Sequence, residues 1–196
     1  MSTPRARLVV ALILCGTVSG TALAARSRDA GARDNTTARA ALAESHDHGR
    51  TLLAFDSMYG VDGPFVGEAF PIRGIPGDEL PWTIARAQGR LDTDGHLTLT
   101  IRGLVFTDDE EVPPELRGIN DEDSFRAVVS CLSEEGETVV ERNVITAPFP
   151  ATPEGDARIR TTVELPQPCV APTVLVLAGS EDKWFAVVGF EEEGEE

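Results

Sequence analysis

This 196-residue chain lacks a long apolar run and has only three histidines and three cysteines. Its apolar run from Leu8 to Leu14 holds seven residues, against roughly 20 needed to cross a bilayer as a helix. Membrane insertion is therefore not expected. With only three histidines, imidazole chemistry has little to draw on, and His46 and His48 fall in a polar stretch with little core-forming material. His96 alone lies in the part that reads as folded, beside a tight turn and with no serine in a nucleophile setting. A Ser-His-Asp centre is not expected. There is no phosphate-cradling loop and no zinc-ligand spacing. His46-Asp47-His48 offers two imidazoles and a carboxylate, short of the placed ligand set that a stable site needs, and reads as linker.

Positive charge is scarce as well: 17 basic residues face 33 acidic ones, for a net charge of −16. Arg5 and Arg7 precede the apolar run, and small residues follow it up to Ala22-Leu23-Ala24. That layout is a signal peptide over residues 1–24, cut before Ala25. Leu14 before Cys15 does not suit lipid attachment, where a small residue is needed. A secreted or periplasmic location is expected. Cleavage would leave 33 acids against 15 bases, a net charge of −18, which repels nucleic acid and anionic membrane surfaces. Cys131 and Cys169 would then be the remaining cysteines, and an even pair in an oxidising compartment favours a disulfide. Closing a loop of that size is worth on the order of 4 kcal/mol in chain entropy.

Residues 25–50 contribute one large apolar side chain, Leu42, and read as a flexible lead-in. Asn35-Thr36-Thr37 within it matches a glycosylation acceptor. Residues 51–190 form the expected domain, and 191–196 an acidic tail. Within the domain, Leu97, Leu99, Ile101, Gly103 and Val105 alternate with Thr98, Thr100, Arg102 and Leu104. Such alternation predicts a strand with one buried face. Asp94-Gly95 before it suits a hairpin turn, because glycine accepts positive φ without a Cβ clash, and Thr83 to Leu91 supplies the partner strand. Further strands are predicted over Leu52 to Met58, Ser124 to Leu132, Glu137 to Ile145, Ala157 to Leu165, Thr173 to Ala178 and Trp184 to Phe190. About eight strands at this spacing predict an all-β antiparallel sandwich, with a barrel as the alternative.

Loops on a rigid sheet scaffold commonly carry binding groups, and two connections are long enough to do so. From Gly60 to Trp82, glycine and proline restrict the path while Phe65, Phe70, Arg73 and Trp82 offer an aromatic-lined pocket with one guanidinium fork, suited to a sugar or a carboxylate. The competing expectation is that the aromatics plug the core and Arg73 binds backbone carbonyls. From Thr107 to Asp123, acids including Asp108, Asp109, Asp121 and Asp123 supply the oxygens that Ca2+ would need. No standard calcium-loop spacing is present, so no cofactor is the primary expectation and Ca2+ the alternative. Asp92-Thr93-Asp94-Gly95 fails as an EF-hand fragment, since Arg90 and Ile101 fall where carboxylates are required.

Met58-Tyr59-Gly60-Val61, Gly63-Pro64-Phe65, Pro71-Ile72-Arg73-Gly74-Ile75-Pro76-Gly77, Leu80-Pro81-Trp82, Phe125-Arg126-Ala127-Val128-Val129-Ser130-Cys131, Pro148-Phe149-Pro150-Ala151-Thr152 and Pro168-Cys169-Val170-Ala171-Pro172 follow one another along the chain. In that order they resemble a group of small exported bacterial proteins of unassigned function, over about residues 52–190. The resemblance implies one exported domain with Cys131 paired to Cys169, and carries over no catalytic residue. The leading expectation is an exported, non-catalytic β-sandwich that binds a protein, glycan or cation through its end loops. An exported hydrolase using loop carboxylates is the alternative, though no pair of acids stands out at a defined separation.

Overall fold

The computed structural model describes residues 49–189. The leader, most of the lead-in, the His46-Asp47-His48 stretch and the Glu191–Glu196 tail lie outside the described residues. Ten strands follow in order: β1 (Thr51–Phe55), β2 (Met58–Gly60), β3 (Trp82–Asp92), β4 (His96–Phe106), β5 (Ser124–Glu135), β6 (Thr138–Ile145), β7 (Phe149–Pro150), β8 (Ala157–Thr162), β9 (Val170–Ala178) and β10 (Trp184–Val188). They form two antiparallel sheets, ordered β1-β3-β4-β8 and β2-β10-β9-β5-β6, with β7 paired to β5. The sheets pack face to face and do not close into a barrel, so the architecture is a β-sandwich.

Each predicted strand is present, with two departures that have physical causes. Leu52 to Met58 is two strands rather than one. β1 pairs with β3 and β2 with β10, so the chain changes sheets at Asp56-Ser57. The Ser57 hydroxyl fixes this crossing by donating to the Gly189 carbonyl at 2.9 Å. The second departure is in the β3–β4 hairpin. Leu97, Leu99 and Ile101 are buried as expected, but then Leu104 and Phe106 are buried and Val105 is not fully covered. β3 changes phase at the matching level, from Trp82 to Ala87, Gly89 and Leu91. The register is kept throughout, so both strands turn over together. Gly103, at φ 63°, takes the turnover. The Asp156 carboxylate pins it by accepting from the Gly103 amide at 3.1 Å and from the Arg102 guanidinium.

The turnover sends Trp82 into the space between the sheets. There its ring stacks on Phe185 at 4.1 Å and meets Phe106 at 4.1 Å, while Phe125 stands edge-on to Phe185 at 6.0 Å. Such contacts contribute roughly 0.5–1.5 kcal/mol each beyond the burial of their surfaces. At the other end of the sandwich Cys131 and Cys169 are disulfide-bonded, tying β5 to the start of β9 with Cα atoms 4.9 Å apart.

The two sheets differ in their outward faces. In the six-stranded sheet Val128, Leu175 and Leu177 are buried on the side away from the core. The chain between β2 and β3 covers them. Asp78 donates its amide to the Trp184 carbonyl, Trp184 donates to Pro76, and the turn at Ile72–Ile75 is joined to β6 and β9 through Arg73. Among the described residues the outward face of β3, β4 and β8 has no such cover, and Arg86, Gln88, Arg90, Thr98, Arg158 and Arg160 are all exposed.

Candidate functional site

Alternation within three strands builds the exposed face. Ala87, Gly89 and Leu91 of β3, Leu97, Leu99 and Ile101 of β4, and Ala157 and Ile159 of β8 turn inward and are buried. A period of two then obliges Arg86, Gln88 and Arg90, Thr98, Thr100 and Arg102, and Arg158 and Arg160 to turn outward. Register aligns them into rows: Arg90 opposite Thr98 opposite Arg160, Gln88 opposite Thr100 opposite Arg158, and Arg86 opposite Arg102. Arg90 and Arg160 are thus two strand spacings apart, roughly 10 Å. Arg90, Thr98, Thr100, Arg158 and Arg160 line a shallow concavity of about 230 Å³.

Two of the five arginines on this face are neutralised within the fold. Arg90 Nε lies 2.7 Å from Asp92, and Arg102 pairs with Asp156, whose carboxyl is held below its ordinary range chiefly by that guanidinium. Arg86, Arg158 and Arg160 have no ion pair or hydrogen bond among the described residues. Three free guanidiniums on one face of a chain with net charge −16 are a segregation of charge that sheet stability does not favour. Like charges directly opposite on paired strands destabilise the pairing, and where Arg86 stands opposite Arg102 the Asp156 carboxylate answers the second of them.

The side chains expected to form an aromatic pocket are not brought together. Trp82 is 2 % exposed in the core, its Nε1 donating to Asp78 at 2.8 Å. Phe65 packs against Trp184 at 6.3 Å on the covered face, while Phe70 is 57 % exposed. Arg73 donates Nη2 to the Ala171 carbonyl at 2.9 Å, and its own carbonyl accepts from Asn143 at 2.9 Å. It therefore clamps the loop across β6 and β9.

Asp108, Asp109, Asp121 and Asp123 are exposed. Between them the loop is organised by buried Val112, whose carbonyl accepts from Arg117, and by Asn120, which bonds the carbonyls of Glu122 and Thr152. Neighbouring Glu122 has its carboxyl pushed up, first by burial and then by the Asp121 charge.

Among the described residues the acids whose oxygens converge, within 4.8 Å, are instead Asp78, Glu79 and Glu181. Lys183 already answers them, pairing with Glu79 and with Glu181 at 2.9 Å. Its hydrogen bond holds Glu79 below the ordinary range, and the ammonium is held above its own. Burial pushes Asp78 up.

The exposed arginine face was not among the sequence candidates. Arg86-x-Gln88-x-Arg90 and Arg158-x-Arg160 show the required alternation, but the pairing of β4 with β8, which joins them, is not local. No protein-family model, curated protein or solved structure matches this chain, which leaves its own geometry as the guide to function.

Proposed function

We propose that this protein is an exported, non-catalytic β-sandwich module that binds an anionic partner on the exposed face of β3, β4 and β8. One observation carries the reading: among the described residues Arg86, Arg158 and Arg160 stand unneutralised on that face while the chain as a whole is acidic. Guanidiniums are weakly hydrated and present flat donor forks that match carboxylate, sulfate and phosphate. The surrounding negative charge repels anions from the rest of the surface, so it directs them to this one face. The leader, the paired cysteines and the resemblance to exported proteins support an extracytoplasmic site of action. The sheet face, rather than the end loops, is the surface we assign.

The hydrolase alternative has less to stand on. Asp78 is committed to the Trp82 indole and Glu79 to Lys183, which leaves neither as a free proton carrier. Retention of the mature chain on a sulfated column at low ionic strength, lost in Arg158→Glu/Arg160→Glu with an unchanged melting temperature, is the expected result. Flow-through of the parent chain under the same conditions overturns the reading.

A further inference from the structure

We infer that the anionic partner is a linear acidic polysaccharide lying along β4, its carboxylate or sulfate groups held from both sides by arginine; this rests on the anion-binding reading above. The face is a trough between two basic rails. Arg86 and Arg90 of β3 form one, Arg158 and Arg160 of β8 the other, and Thr98 and Thr100 of β4 form the floor beside Gln88. Arg86 and Arg90 are four residues apart, roughly 14 Å along the strand. The trough therefore follows an extended chain rather than enclosing a compact ligand. Its volume of about 230 Å³ is below the several hundred Å³ typical of small-molecule pockets.

The floor separates polysaccharide from other polyanions. Threonine hydroxyls and the glutamine amide both donate and accept, which suits the hydroxyls between acidic groups on a sugar chain. Among the described residues no aromatic side chain lines the trough, and single-stranded nucleic acid gains much of its affinity by stacking bases on aromatic rings. An acidic peptide added as a strand pairs along a free sheet edge, here the outer edge of β8, and so would lie beside the trough rather than along its floor on β4, whose two edges are both paired. Free guanidiniums flank the threonine floor on both sides, Arg86 of β3 on one and Arg158 and Arg160 of β8 on the other, while Arg90 opposite Thr98 and Arg160 is already paired with Asp92.

The test titrates the mature chain from Ala25 with five probes at equal anionic charge: a linear sulfated polysaccharide, polyglutamate, polyphosphate, oligo(dT) and vesicles containing phosphatidylglycerol. Three forms are compared: the parent, Arg158→Gln/Arg160→Gln and Thr98→Val/Thr100→Val. The last keeps the charge and the strand-favouring shape while removing both floor hydroxyls. The parent is expected to bind the polysaccharide at least about tenfold more tightly than any other probe. The arginine variant should lose binding, with a log affinity against log salt slope shallower by about two, one counterion per guanidinium. The threonine variant should lose about tenfold for the polysaccharide alone. Equal, arginine-dependent binding of all polyanions, or preference for polyglutamate, oligo(dT), polyphosphate or vesicles, overturns the polysaccharide inference and leaves the anion-binding face standing. No binding of any probe at low ionic strength removes both. Thermal melting of each variant confirms that the comparison is made between folded proteins.

Discussion

The outward faces of the two sheets were built from strands of similar length but left in opposite conditions. That of the six-stranded sheet is apolar and covered by the chain between β2 and β3; Val128, Leu175 and Leu177 have no exposure. That of the four-stranded sheet is left uncovered among the described residues and carries arginine, threonine and glutamine. The first face contributes to stability, since each large aliphatic side chain buried there is worth about 1.5–3 kcal/mol relative to exposure. The second is solvated and contributes little to stability. Residues that folding does not require are the ones available for recognition.

The comparison breaks most sharply at Trp184, 2 % exposed and packed beneath Phe65. Trp184→Ala should cost about 3–5 kcal/mol, read as a drop in the urea midpoint. A loss under about 1 kcal/mol would show that the loop does not seal this face.

Arg73→Ala comes next. It removes the clamp to the Ala171 carbonyl and should cost about 1–2 kcal/mol, raising the proteolysis rate between Gly60 and Trp82. Anion binding should not change, because the clamp lies over the other sheet.

Asp156 tests the junction between the faces. Its folded-state carboxyl is held below the ordinary range by Arg102, so its contribution is present above the unfolded value near pH 4 and disappears as pH falls through the lower folded value. Solvent screening limits it to about 0.5 kcal/mol. In Asp156→Asn, stability at neutral pH should fall by that amount and the loss of stability on acidification below pH 4 should become shallower, as followed by melting temperature against pH.

The smallest effect on stability belongs to Arg158→Gln/Arg160→Gln, within about 0.5 kcal/mol in either direction. Its effect on anion retention should be the largest of the series. A destabilisation above about 1 kcal/mol would assign these arginines to the fold.

Period-two alternation made most of the fold legible. It marked β4 and β8 directly, and Asp94-Gly95 located the hairpin, with Gly95 at φ 84°. Continuous apolar runs such as Val174–Ala178 also read as strand, and the structure supplies the reason: they are buried on both faces. What alternation does not carry is a change of face. The turnover at Gly103 preserves pairing while reversing which residues are inside, and the residue sequence Ile101-Arg102-Gly103-Leu104 shows it only once Asp156, from a distant segment, is placed beside it.

The candidate site failed to emerge for a related reason. Trp82 and Phe65 look alike in composition, yet one is core and the other a lid over Trp184. Arg90 and Arg160 lie seventy positions apart, and only the antiparallel pairing of β4 with both of their strands makes them neighbours. Net charge was the more misleading guide. A sum of −16 describes the long-range field of the chain, while recognition depends on which charges share a face.

The pairing of β2 with β10 joins segments far apart in the sequence. Met58, Tyr59 and Gly60 find their ladder partners only in Ala186, Val187 and Val188, and the loop that follows β2 is anchored on Trp184. Neither is satisfied until the last described strand has been delivered, and closing a loop of that length before any contact rewards it makes for slow folding. For the export proposed above, such delay suits passage of an unfolded chain, since the sandwich completes its ladder only when the last described strand has been delivered.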